Sequence, residues 1–331
     1  MHDGTIATTI GRPFTPIVRD GRTAPLSSPL PASPGHGHIR VPARHNPHLQ
    51  RLIAQVNRSP DVWALWQCAN VNAMDRLGIS DHGWVHAQVV ANLGLKLLRL
   101  LGEAGISPSS VRHHSLTPED AEVIVVTAAL LHDVGIAIHR DEHEHFSLLA
   151  AGSVLRDLLS PVYLDPVRRT IIWSEVLHAI ISHHRDIRCL TVEAGIVKVA
   201  DALDMTKGRY RVPFEAGKLD IHSVSTTAIE RVRLSRGAAK PVRIDITLSN
   251  SVGLFQLDEL LRRKLHTSGL ADHVELAAQV AGDIPRSGYS PPMCSMEEPW
   301  RSPVREQHPR AKRQGRAVAE TFSKEKGPNV W

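Results

Sequence analysis

The chain has 331 residues, enough for about two domains, with a hydrophobic share of 42% and a formal net charge of +5. Aromatic residues make up only 4%, so aliphatic side chains and Ala must fill the core, which suits helices better than a β-sandwich. No apolar run reaches the roughly 18 residues of a bilayer span, and Met1-His2-Asp3-Gly4 does not open a signal peptide. Cys68, Cys189 and Cys294 lie far apart without CxxC spacing, so reduced thiols and a cytoplasmic address are expected, with no membrane partner.

Residues 1–46 are rich in Pro, Gly, Ser and Thr without periodicity and read as a disordered arm, in which His36 and His38 are incidental. Order is expected from Pro47, where Leu49, Leu52, Ile53 and Val56 recur at helical spacing. After Ser80-Asp81, the residues Val85, Val89, Leu93, Leu97 and Leu100 form one apolar stripe. His86 lies at the edge of that stripe, and His82 one turn earlier is expected to face solvent. Residues 102–116 read as a loop, with His113 and His114 exposed.

Thr117-Pro118-Glu119-Asp120 then announces a helix: a threonine N-cap, proline at the first position and acids in the first turn. It runs through the apolar stretch Val123–Leu131 to His132-Asp133-Val134-Gly135. A His-Asp pair at the end of a buried helix is costly to desolvate unless something compensates it. A metal ion would compensate both side chains, and a simple hydrogen bond between them is the plainer alternative.

A short link leads to His139, Arg140, Asp141, Glu142, His143 and His145, then to a helix carrying Leu148, Leu149, Val154, Leu155, Leu158 and Leu159. A further helix is expected from Ser174 to His183-His184-Arg185-Asp186, with His178 on its face. The next, Glu193 to Met205, places Asp201 on or beside its apolar side, where an ionised carboxylate again needs a partner. Beyond Thr206, Ile229–Leu234 and Val242–Leu248 alternate around Gly237 as a hairpin. Leu257–Leu265 reads as helical and Val274–Val280 as a third strand.

The organisation expected is therefore mainly α: a helical domain over 47–222, a small α+β unit over 223–284, and a disordered basic tail over 285–331. The small unit would pack on the helical domain or join two copies in a homodimer. The tail carries Arg301, Arg305, Arg310, Lys312, Arg313 and Arg316 without interleaved aromatics, so a nucleic-acid partner is not expected.

Set in order, His86, His132-Asp133, His145, His183-His184 and Asp201 sit within or at the ends of successive amphipathic helices. This order, with the local settings Leu130-Leu131-His132-Asp133-Val134-Gly135, Ile180-Ile181-Ser182-His183-His184 and Val199-Ala200-Asp201-Ala202-Leu203-Asp204, resembles the HD superfamily of metal-dependent phosphohydrolases. The resemblance covers about residues 80–210 and implies an HD-type helical bundle. It also implies one or two divalent transition metal ions (Mn, Fe, Co, Ni or Zn) and a small phosphorylated substrate of nucleotide type. His86, His132, Asp133 and Asp201 would hold one ion. His145, His183 and His184 would hold a second, with Asp133 bridging. His139 and His143 are close rivals of His145, which is favoured because a family ligand commonly opens the following helix.

Asp133, His184 and Arg140 are the expected catalytic side chains, and Arg185, Lys207, Arg209 and Arg211 the substrate anion contacts. The HD-GYP branch carries Lys where this chain has Ile136 and a Gly-Tyr-Pro triplet where it has Arg185-Asp186-Ile187, so cyclic-dinucleotide hydrolysis is not expected. The Glu-Asp pair of guanosine-alarmone hydrolases is likewise offset here. Spacing from His183 to Asp201 is similar to that of small bacterial hydrolases that cleave dinucleoside tetraphosphates. Two other functions suit the same ligand set: an HD-fold di-iron oxygenase, and a non-catalytic nucleotide sensor.

Overall fold

The computed structural model describes residues 37–205, 228–253 and 257–281. Its helices begin where short polar caps meet proline. α1 (Pro47–Arg58), α2 (Pro60–Asn70), α5 (Pro118–Leu131) and α7 (Pro166–Ser182) each have proline in the first turn, behind Asn46, Ser59, Thr117 and Asp165 as N-caps. Each cap accepts a backbone N–H that the helix itself leaves unpaired, and proline lacks the donor that position cannot use. Between them lie α3 (Trp84–Glu103), α4 (Ser109–His114) and α6 (His143–Leu159), and α8 (Val192–Leu203) follows α7.

α5 is the axis of the bundle. Every residue from Asp120 to Leu131 is buried, as befits a helix apolar on all sides, and α1, α3, α7 and α8 pack around it. Trp66 of α2 closes one end, donating its indole N–H to the Leu130 carbonyl at 2.9 Å. Burial continues outward from that axis into a main apolar core that draws residues from Ile39 to Val274, with a small separate cluster of Ala69, Ala73 and Ile136.

Beyond α8, β1 (Ile229–Arg236) and β2 (Val242–Leu248) pair antiparallel, with Leu234 opposite Ile244 and Arg236 opposite Val242. β3 (Val274–Val280) pairs parallel to β2, giving the order β1-β2-β3. Val242, Ile244, Ile246 and Leu248 point to the buried face while the residues between them are partly exposed, as period-two alternation requires. β1 touches α3, and α9 (Arg263–Ser268) lies against α8. No described helix is long and apolar enough to cross a membrane.

The mainly helical architecture with a small C-terminal sheet is the one expected; several details differ. Ile39, Ala43 and Asn46 are buried, so residues 37–46 belong to the packed structure rather than to a disordered arm. On α3 the buried face is Ala87, Val90, Ala91, Gly94, Leu97, Leu98 and Leu101, whereas Val85 and Val89 are exposed. The expected stripe is thus rotated by about one position, because a helix covered on two sides buries a wider arc than one row. His86 consequently faces the interior, and His82, expected at the solvent, is buried beside it. α4 occupies part of the expected loop, with His113 and His114 exposed. α7 starts at Pro166 rather than near Ser174, on the same pairing of a polar cap with proline that opens α1, α2 and α5. The expected domain boundary at 222 and the tail lie outside the described residues.

Candidate metal centre

Four histidines converge because each is held by its Nδ1. At the C-terminus of α5, His132 donates Nδ1–H to the Ala129 carbonyl at 2.8 Å. At the C-terminus of α7, His183 does the same to the Ile180 carbonyl at 2.6 Å. In the first turn of α3, His86 donates to Asp204 Oδ2 at 2.6 Å. His143, the first residue of α6, has its Nδ1 beside the Arg140 guanidinium at 2.7 Å, the Arg140 carbonyl at 3.1 Å and Glu144 Oε2 at 3.2 Å. For the first three, a neutral ring whose Nδ1 carries the proton leaves a bare lone pair on Nε2.

Those Nε2 atoms crowd around two carboxylates. His86 Nε2 lies 3.2 Å from Asp133 Oδ2, 3.4 Å from Asp201 Oδ1 and 3.2 Å from His132 Nε2. His132 Nε2 is 3.3 Å from Asp133 Oδ2 and 3.6 Å from Asp201 Oδ1. On the other side of Asp133, Oδ1 lies 3.1 Å from His143 Nε2 and 3.5 Å from His183 Nε2, which are 3.3 Å from one another. Two imidazole nitrogens that each offer only a lone pair cannot hydrogen-bond to one another, and so many acceptors in a buried space require a cation. A tetrahedron with bonds of about 2.1 Å has edges of about 3.4 Å, which matches these separations.

Asp133 therefore turns one oxygen to each of two donor groups. The groups are His86, His132 and Asp201 on one side and His143 and His183 on the other, with Glu144 adjoining the second. Imidazole and carboxylate donors without thiolate fit a divalent transition metal.

The electrostatics agree. Burial works against the charge on Asp133 and on Asp201, yet neighbouring cations hold both carboxyls well below the usual range: His132 foremost for Asp133, Lys264 for Asp201. Burial would also keep His132 neutral, but the charge of Asp133, and then its bonds to Asp133 and Asp201, raise its pKa to about 9. Burial and the neighbouring His132 push His183 the other way, to about 4, although Asp133 favours its proton. The pair of carboxylates demands positive charge, met by a proton on His132 or by a metal ion in competition with it.

Beside this row opens a cavity of about 640 Å³, lined by His82, Arg140, His184, Arg185 and Lys264 together with Asp133, His143, His183 and Asp201 of the cluster. Gly135, two residues after Asp133, brings that turn close against α6. A Cβ there would lie 2.1 Å from the His143 carbonyl oxygen and 2.3 Å from the Ser147 nitrogen, so only glycine lets the turn after Asp133 close onto α6.

Of the side chains expected as ligands, the structure gathers His86, His132, Asp133, His183 and Asp201. His145 is a correction: its side chain is 57% exposed and pairs with Glu142 at 3.1 Å, and His143 stands in the cluster instead. The periodicity of α6 carried the signal, since its buried residues Ala151, Ser147 and His143 step back by fours. His184, expected as a second ligand of the pair, stays outside the cluster and lines the cavity, its Nδ1 accepting the Asp186 N–H at 3.2 Å. Arg140 and Arg185 line the same cavity; Lys207, Arg209 and Arg211 lie outside the described residues. Asp204 and Lys264 escaped sequence reasoning. Asp204 closes the segment that carries Asp201, but nothing local marks His86 as its partner, and Lys264 comes from a helix remote in sequence.

The family model for the HD domain matches residues 84–206, from the start of α3 through the end of α8. An uncharacterized protein of Methanocaldococcus jannaschii is similar to this chain at 42% identity over 217 residues, 66% of this chain and 83% of that protein. The chain belongs to the HD-domain superfamily. Its namesake His-Asp pair is His132-Asp133, at the meeting point of the two donor groups. HD domains bind divalent metals and are typical of metal-dependent hydrolases, which suits the donor chemistry found here.

Proposed function

We propose that this HD-domain protein is a metal-dependent phosphohydrolase that cleaves a phosphate ester or anhydride of a nucleotide-like substrate. The observation that carries this reading is the division of Asp133 between two donor sets, Oδ2 toward His86 and His132 and Oδ1 toward His143 and His183. A pair of divalent ions held by these residues would supply charge to phosphoryl oxygens and would activate water as a nucleophile.

The chain's own residues account for the rest. His86, His132, Asp133 and Asp201 form one ligand group; Asp133, His143 and His183 form the second. Arg140 and Arg185 on the cavity wall offer guanidinium donors to substrate oxyanions. His184 Nδ1 accepts the Asp186 backbone N–H, so its Nε2–H is the ring's donor and can hydrogen-bond to a substrate oxygen in the cavity. Lys207, Arg209 and Arg211, which follow α8 in the sequence, are assigned further anion contacts. The substrate is small, because the cavity of about 640 Å³ falls in the range of small-molecule sites.

Purified protein reconstituted in turn with Mn, Fe, Co, Ni and Zn is expected to release phosphate from at least one member of a nucleotide panel. His132→Ala and Asp133→Ala should each abolish metal binding and turnover while far-UV circular dichroism stays helical. Full turnover in either variant would defeat the mechanism. Oxygen uptake by the iron-loaded protein without phosphate release would favour the oxygenase chemistry instead.

A further inference from the structure

Asp201 offers only one of its oxygens to the histidines. Oδ1 lies 3.4 Å from His86 Nε2 and 3.6 Å from His132 Nε2, while Oδ2 is held by the ammonium of Lys264. Lys264 belongs to α9, beyond the residues matched by the HD family model. The side chains of the pair are both largely buried, at 15% and 12% exposure, so the contact is not a solvent-screened surface bridge.

The contact is built, rung by rung, into the seam between α8 and α9. At the far end Gly195 replaces any larger residue, since a Cβ there would lie 2.3 Å from the Ser268 carbonyl oxygen. One turn on, the fully buried Lys198 donates to Thr267 Oγ1 at 2.9 Å and to the Ile187 carbonyl. The next turn brings Asp201 to Lys264. α9 is pinned a second time to the segment after His184: Cys189 N–H donates to the Thr267 carbonyl at 3.0 Å, and Arg263 pairs with Asp186 at 2.6 Å. These fastenings fix the ammonium over Oδ2 from two sides.

A carboxylate is free to bind an ion through one oxygen or both, and the second mode occupies a coordination position that a catalytic centre needs open. We propose that Lys264 is a positioning residue of the metal centre, engaging Asp201 Oδ2 so that Asp201 serves as a one-oxygen ligand and a coordination position stays free for substrate. This rests on the metal-centre reading above. It makes the C-terminal unit part of the active site: a helix outside the HD domain sets how one HD ligand coordinates.

The test uses the full chain and cobalt(II) as the probe metal, comparing wild type, Lys264→Met and Lys264→Arg. Without the ammonium, Asp201 is expected to close both oxygens on the ion. Lys264→Met should then bind cobalt at least as tightly as wild type, with weaker visible absorption because a ligand has been added. Turnover of any phosphate ester that wild type cleaves should fall at least tenfold, and Lys264→Arg should restore the spectrum. A wild-type spectrum in Lys264→Met overturns the proposal, as does loss of cobalt affinity in a folded variant. Should Lys264→Met not fold, Lys264→Gln is judged by the same two readouts. Wild-type protein that binds cobalt but cleaves no phosphate ester defeats the hydrolase reading while the spectra still decide the role of Lys264.

Discussion

Asp133 stands where two groups of donors meet, and single-residue choices around it decide whether one ion or two can be held. The second group depends on His143, whose Nε2 lies 3.1 Å from Asp133 Oδ1, and not on His145 two residues later. His143→Ala is expected to lower the number of metal ions bound per chain, measured by elemental analysis after gel filtration. His145→Ala should leave that number unchanged, because its exposed ring pairs with Glu142 and stands outside the cluster. The reverse result would place the second group elsewhere. Sequence patterning names both residues as candidates. Choosing between them depends on where α6 begins, and Glu142, with φ of 58°, forms the kinked entry that makes His143 the first helical residue. Asp204 illustrates the opposite case. A carboxylate that orients a ligating imidazole through Nδ1 is a recurring feature of metal sites, but its partner His86 lies 118 positions away.

At the scale of elements, α5 carries the most. It is capped by a reciprocal pair, Thr117 and Asp120, and buries a second acid, Glu122, in its first turns. Burial works against the charges of Asp120 and Glu122, yet their partners hold both carboxyls below their ordinary values. Thr117 N–H, Arg168 and Tyr163 act on Asp120, and Arg99, Asn46 and His45 on Glu122. Groups whose pKa is depressed in the folded state bind protons more readily when unfolded. Their stabilising contribution is complete above the ordinary values of 3.8 and 4.5 and is lost as pH falls through the folded-state values. Metal-free wild type and Asp120→Asn, melted in parallel from pH 7 to pH 3, should therefore differ most at neutral pH and converge in acid. A gap that widens on acidification would contradict the ion-pair account. The same helix shows why caps were readable while faces were not. A cap is a contact within four residues, whereas the buried arc of α3 depends on α5, α8 and β1 packing against it.

For the molecule as a whole, the metal centre is a tie between parts far apart in the chain. Its ligand candidates come from the start of α3, the end of α5, the start of α6, the end of α7 and the last turn of α8. An ion that binds only the folded arrangement stabilises it by about 2.7 kcal/mol at roughly a hundred times its Kd. That corresponds to a rise in Tm of several degrees, at roughly 2–4 °C per kcal/mol for a chain of this order of size. Adding a saturating divalent transition metal to chelator-treated protein should produce such a rise in a thermal scan, and His86→Ala should diminish it. No change in wild type would mean that the cluster holds no ion under those conditions.

Much of this arrangement was already legible in the chain. The His-Asp pair behind a capped apolar helix, the ordered histidines on successive helices and the alternating strands on either side of Gly237 follow from local periodicity and local chemistry, which need no partner to be recognised. Those features determined the helical bundle, the small sheet and the metal-binding character. The tertiary structure alone decided which ring of a rival set turns inward, which carboxylate steadies His86 and which lysine meets Asp201. Each of those depends on the angle at which one element lies on another, and that angle is set by packing between residues tens to more than a hundred positions apart, as where Gly195 admits Ser268 and His86 meets Asp204.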